Sequence, residues 1–240
     1  MKPAIDPWTE RIDQLDWHDL LQNLALDGYA LESQLLTEQE CDELVALYNG
    51  EQTFRKTINM EQFRFGKGEY KYFDYPLPGM VQKLRENLYP YLVPVANGFA
   101  KLGGSNMVYP ATLKAFLENC RKHGQLRPTP LILQYREGGY NTLHQDLYGA
   151  IHFPFQVVIF LSRPNDDYSG GEFVMVEQRP RAQSKAEVLL PGKGDVLIFT
   201  TNYRPVEGSR GYYKVAMKHG VSKIRSGQRF TLGIIFHDAK

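Results

Sequence analysis

Residues 131–146 read LILQYREGGYNTLHQD, and residues 218–237 read KHGVSKIRSGQRFTLGIIFH. The fold is decided by these two stretches taken together. The first ends in His144-Gln145-Asp146. Side chains alternate along an extended strand, so His144 and Asp146 share one side of it and can grip one metal. The second holds His219, then Arg229 ten residues later, then Thr231. It reads as a hairpin, with β-rich runs at 218–224 and 228–236 joined by Arg225-Ser226-Gly227. On the returning strand Arg229, Thr231 and Gly233 share a face. A guanidinium two positions from a hydroxyl forms a bidentate socket for a carboxylate, and Gly233 leaves room beside it.

Two His and one carboxylate on one face of an iron leave the other face free for a cosubstrate and oxygen. That is the facial arrangement of non-haem Fe(II) oxygenases. A His-x-Asp alone says little in a chain with six His. The same pair followed seventy-odd residues on by His219, and then by Arg-x-Thr, is specific. The pattern resembles the 2-oxoglutarate- and Fe(II)-dependent oxygenases, in particular their prolyl-hydroxylase-like branch. The resemblance implies iron on His144, Asp146 and His219, and the 2-oxoglutarate C5 carboxylate on Arg229 and Thr231. It implies a cosubstrate contact at Tyr135, in LQYREGGYNTLH. GGEF at 170–173 and GDVLIF at 194–199 match two further strand motifs of the family. More narrowly, RPTPLILQYREGGYNTLHQDLYG, GGEFVMVEQRPRAQS and KHGVSKIRSGQRFTLGIIFHDA resemble a bacterial oxygenase family that sequence context ties to nucleic-acid modification. The likeness extends N-terminally through FRFGKGEYKYFDYPLPG. Fe(II), 2-oxoglutarate and O2 are the implied cofactors, with ascorbate as a stimulant. One departure stands out. In many relatives the distal His closely follows the Gly-Asp strand, whereas here residues 200–218, basic and aromatic, intervene.

From residue 131 onward the strand-like runs come quickly, at 131–136, 142–146, 156–161, 172–177, 186–190 and 195–200, then the hairpin. The expected class is mainly β with α (α+β). Its core is a double-stranded β-helix, or jelly roll, buttressed by N-terminal helices. Residues 1–125 form an N-terminal helical and hairpin region on the substrate side, and 126–240 the oxygenase core. Apolar spacing predicts helices over 6–26 and, from an N-cap at Thr37 with Glu40 as its capping-box partner, over 38–48. A helical region over 80–102 is broken at Pro90 and Pro94, and a shorter helix covers 112–122. Between them residues 54–78 are aromatic, basic and glycine-punctuated, with Gly66-Lys67-Gly68 read as a hairpin turn. Aromatics interleaved with cations can stack bases and follow phosphates. The same pattern also suits a structural hairpin packed on the core.

Other polar residues stay open. Asn141 either faces the pocket or caps the turn after Gly138-Gly139, and the turn is the favoured reading. His152 is a rival metal ligand on a loop. His237 has no evident partner. Arg179 and Arg181 either grip an anionic substrate or belong to a solvated loop.

Composition is that of an ordinary globular chain, 42% hydrophobic and 23% charged. Cys41 and Cys120 carry no metal spacing and are expected to be reduced. The first residues lack the apolar stretch of a signal peptide, and no apolar run reaches bilayer length, so a cytoplasmic protein with no membrane partner is expected. Net charge is +1, unevenly spread. Residues 1–50 hold eleven Asp/Glu against two Lys/Arg, and residues 179–225 hold ten basic against three acidic. A positive catalytic half suits an anionic substrate. Three functions follow: a 2-oxoglutarate dioxygenase hydroxylating or demethylating DNA or RNA, the same chemistry on a protein side chain such as proline, or a metal-binding jelly roll without turnover.

Overall fold

The computed structural model describes residues 6–50, 54–146 and 149–240. Two antiparallel sheets face one another. The larger has eight strands in the order β1 (Tyr29–Glu32), β11 (Val196–Thr200), β7 (Phe155–Phe160), β14 (Ile224–Ile235), β5 (Leu131–Arg136), β4 (Glu69–Phe73) and β2 (Phe54–Asn59), with β8 (Tyr168–Gly170) on β14. The smaller has six, in the order β10 (Lys185–Leu189), β9 (Phe173–Gln178), β13 (Gly211–Val221), β6 (Tyr140–His144) and β3 (Gly66–Lys67), with β12 (Tyr203–Gly208) on β13. This is the expected jelly roll. Strands from the first 125 residues are woven into both sheets at their edges.

The outer face of the large sheet needs a cover, because its strands β7 and β11 are buried at every position. Ile132, Val157, Ile159, Ile198, Leu232 and Ile234 form one core with the helices α1 (Pro7–Asp13), α2 (Trp17–Asp27), α3 (Glu38–Leu47), α4 (Gly79–Leu102) and α5 (Leu113–Lys122). Burying each such side chain contributes roughly 1.5–3 kcal/mol. The Thr37 capping box forms as expected, with Glu40 closing it. Glu40 also binds Arg11 and Trp8, clamping α1 to α3. A buried ion pair, Arg85 with Asp238 at 2.8 Å, ties α4 to the C-terminus, and Arg85 also donates to Ile235 O and Phe236 O. Cys41 and Cys120 are buried and free.

Four expectations are corrected. The run at 6–26 is two helices, because Asp16 caps a new start at Trp17. The prolines do not break α4, which runs through Pro90 and Pro94. Both prolines sit on its exposed side, where water can take the freed carbonyls, while Leu84, Leu88 and Leu92 pack without interruption. Gly66-Lys67-Gly68 is no turn: Gly66 and Lys67 pair with Asn141 and Tyr140, and the hairpin is β2–β4. Gly66 is needed for close approach, since a Cβ there would sit 2.3 Å from Tyr140 O.

The fourth correction concerns residues 218–237. β13 and β14 do not pair with each other. The chain crosses from the small sheet to the large one at Ser222-Lys223, and Arg225-Ser226-Gly227 lies inside β14 against β8. A Cβ on Gly227 would lie 2.0 Å from Asp167 O, so that glycine admits a neighbouring strand and does not mark a turn. The crossover sets His219 on one wall of the roll and Arg229 on the other.

Candidate metal centre and cosubstrate cavity

His144 and His219 are register partners across the β6–β13 pair, their ring centroids 4.2 Å apart. β6 ends at His144, so Asp146 lies just beyond the strand that was expected to carry both. It still turns to the same point. Its carboxylate oxygens are 3.5 Å from His144 Nε2 and 3.3 Å from His219 Nε2. The three ligand atoms lie within 4.8 Å of one another. His144 Nδ1 is 2.7 Å from Thr142 O, which places its proton there and leaves Nε2 for a metal. Phe199 and Phe173 wall in the His219 ring, at 4.7 and 5.8 Å between centroids.

The electrostatics agree. Burial works against a charged Asp146, but the two imidazoles prevail and hold it well below the usual carboxylate range. Burial lowers His219 and keeps it neutral. In His144 burial is outweighed by Asp146, which raises it. Two imidazole nitrogens and a carboxylate oxygen are the donor set an Fe(II) facial triad requires.

The cluster opens into a cavity of about 260 Å³. Its large-sheet wall is built by alternation: Arg229, Thr231, Gly233 and Ile235 from β14, Leu131, Leu133 and Tyr135 from β5, Gln156 and Val158 from β7, Tyr70 and Tyr72 from β4. Arg229 is 1% exposed, and no carboxylate among the described residues is within ion-pair distance of it. Its Nε and Nη2 have no hydrogen-bond partner, and Asn141 stands beside the Tyr135 hydroxyl. Tyr135, Phe160 and Tyr168 surround the guanidinium at 5.3–5.9 Å from ring centroids. A buried cation with free donors in a cavity wall fits a carboxylate ligand.

The sequence comparisons agree with this geometry. Residues 68–239 match the model of a family described as an oxygenase catalysing oxidative methylation of damaged DNA. The chain belongs to this oxygenase family. An uncharacterized protein of Mycobacterium tuberculosis, found in two strains, is 49% identical over 168 residues, 70% of this chain and 72% of the relative. Three solved structures share the fold at low identity. A Pseudomonas putida prolyl-4-hydroxylase has TM-score 0.58 and 13% identity, covering 93% of this chain and 99% of that one. A 2OG-Fe(II) oxygenase family oxidoreductase from Burkholderia pseudomallei has 0.55 and 16%, covering 94% of each chain. A Trichoplax adhaerens prolyl hydroxylase, in complex with a hypoxia inducible factor peptide fragment, has 0.54 and 14%, covering 97% and 93%.

Family and site together make this an Fe(II)- and 2-oxoglutarate-dependent oxygenase. The reading as a metal-binding module without turnover falls away. In the oxygenase, Tyr135, Arg229 and Thr231 all line the cavity with the triad. Asn141, read as a turn residue, lies in β6 and lines it too. His152 stands outside the ligand cluster. His237 finds a partner, accepting from Phe153 N at 3.3 Å. Arg179 does not line the cavity: it binds Glu177, as does Arg204. The intervening stretch 200–218 becomes β12 and the first part of β13, a hairpin that widens the small sheet, and none of it lines the cavity. Tyr70, Tyr72 and Gln156 escaped notice from sequence. Strand β7 is buried at every position, so FQVVIF carries no alternation to mark Gln156 as inward-facing. No helix among the described residues is long and apolar enough to cross a membrane.

Proposed function

We propose that the oxygenase hydroxylates or oxidatively demethylates a nucleic acid, with Arg229 and Thr231 holding the far carboxylate of 2-oxoglutarate and Tyr135 closing that socket. The observation that carries the substrate class is the tip of the segment at 60–66. Phe63 and Phe65 are 49% and 46% exposed and stack on each other at 5.6 Å, flanking Arg64. Phe65 lines the cavity, and its carbonyl accepts from Thr142 N beside the metal ligand His144. Half-exposed stacked aromatics leave apolar surface in water. At the mouth of an oxidising site, with Arg64 between them in sequence, they suit unpaired bases. The excess of basic residues at 179–225 adds to this, although Glu177 answers two of them and Asp42 answers Lys193.

Iron and 2-oxoglutarate, when bound, supply the chemistry that puts one oxygen atom of O2 into a substrate C–H bond and the other into succinate, with loss of CO2. The chain supplies the rest. His144, Asp146 and His219 would hold the metal. Arg229 and Thr231 would hold the cosubstrate by its far carboxylate. Phe173 and Phe199 keep water from the His219 side. Succinate release measured with single- and double-stranded DNA and RNA, and with proline-containing peptides, tests the reading. Stimulation by nucleic acid supports it, and stimulation by peptides alone overturns it.

A further inference from the structure

The cavity is longer than the cosubstrate socket. On β14, Arg229 is the register partner of Tyr135, and Ile235 is the partner of Gln156. Six residues of extended strand separate those levels, roughly 20 Å. Arg229, Thr231, Gly233 and Ile235 all face the cavity, so the wall runs that full distance. A small dicarboxylate held at Arg229 leaves the Gln156 end free.

That end carries one buried polar side chain. Gln156 is 5% exposed, and its Nε2 is buried without a hydrogen-bond partner. Buried amides are almost always paired, and an unmatched donor in a cavity wall calls for an acceptor on a ligand. Phe199 stands between Gln156 and the His219 ring. Gln156 is the register partner of Phe199, whose ring packs on His219 at 4.7 Å. Tyr72 lines the same cavity, set at right angles to Tyr70 5.4 Å away, with the Arg55 guanidinium over its ring at 4.5 Å.

We propose that Gln156 reads the edge of the substrate base, its carboxamide meeting a donor and an acceptor side by side while Tyr72 offers the base a wall. This rests on the nucleic-acid reading above. A carboxamide holds two donors and one acceptor, and it can match a base edge bidentately. A base read in this way has left its duplex partner, so the substrate is single-stranded or flipped out.

The test is equilibrium binding to the holoprotein, loaded with Fe(II) and 2-oxoglutarate under anaerobic conditions at one fixed salt concentration. The probes are fluorescent single-stranded homo-oligonucleotides of A, C, T or U. Wild type is expected to prefer one base by about tenfold or more. Gln156→Leu is expected to bind all of them within about twofold of one another. Gln156→Glu, of the same shape but without the amide donors, is expected to change the order of preference, and it keeps the test open if the leucine variant fails to fold. A preference that survives both substitutions overturns the role of Gln156 and leaves the nucleic-acid reading standing. Wild type that binds every probe equally does the same. Wild type that binds none of the probes overturns both.

Discussion

Arg229 is buried where no carboxylate of the described residues meets it, with Nε and Nη2 unpaired, and that arrangement fits a carboxylate ligand. Removing one partner of a buried charge pair costs about 3–5 kcal/mol. Arg229→Ala should therefore weaken 2-oxoglutarate binding more than a hundredfold, at about 1.4 kcal/mol per tenfold. Arg229→Lys should recover only part, since an ammonium lacks the planar fork. Titration calorimetry under anaerobic conditions checks both, and near-normal affinity in the alanine variant would remove Arg229 from the socket. Phe65→Ala should weaken single-stranded nucleic-acid binding by about 1–3 kcal/mol, the worth of one stacked base, with little effect on melting because the ring is 46% exposed. At this scale the sequence was informative where chemistry fixes spacing: His144, Asp146, His219 and Arg229 stand in an order that few other sites share. It was silent on Gln156, Tyr70 and Tyr72. These are inward-facing only because of which strands pair, and no local pattern announces that.

Among the elements, helices with their own caps were legible and strand pairings were not. Thr37 and Glu40 announce α3 from within four residues. The segment at 218–237, by contrast, holds two β-rich runs joined by Arg225-Ser226-Gly227, which locally is a hairpin. Long-range partners, β9 and β6 for the first run and β5 and β7 for the second, pull the runs into different sheets. The same holds for Pro90 and Pro94, whose local cost is overridden by the buried face of α4. Two predictions belong here. Arg85→Ala leaves Asp238 buried without its cation and should cost about 3–5 kcal/mol, lowering the melting temperature on the order of 10 °C. Calorimetry checks it, and a shift within error would mean that α4 is held without the ion pair. Glu40 gives the acid response. Burial opposes its ionisation, but Arg11, Thr37 and Trp8 prevail and bring it from 4.5 down to about 2. A carboxylate with a lowered folded pKa adds stability that is present above pH 4.5 and lost as pH falls toward 2. Denaturant melts across that window should show a shallower decline for Glu40→Gln than for wild type. Equal slopes would contradict the clamp.

The whole molecule is a two-walled roll whose walls carry different chemistry. The small sheet brings His144 and His219, with Asp146 just beyond the end of β6, and the large sheet brings Arg229, Thr231 and Gln156. The helices cover the outer face of the large sheet. An anionic polymer approaching the mouth should be bound through its phosphates as well as its bases. Affinity for single-stranded DNA should then fall linearly with salt on logarithmic axes. A flat salt dependence would argue for a neutral substrate. The most direct measurement needs no primary substrate. Fe(II) and 2-oxoglutarate are added to the purified protein without oxygen, and the visible metal-to-ligand charge-transfer band of the chelate is followed in wild type, His144→Ala and Arg229→Ala. The band should appear in wild type, be lost in His144→Ala, and need far more 2-oxoglutarate in Arg229→Ala. Wild type that binds iron yet shows no band at saturating 2-oxoglutarate would contradict the site as described.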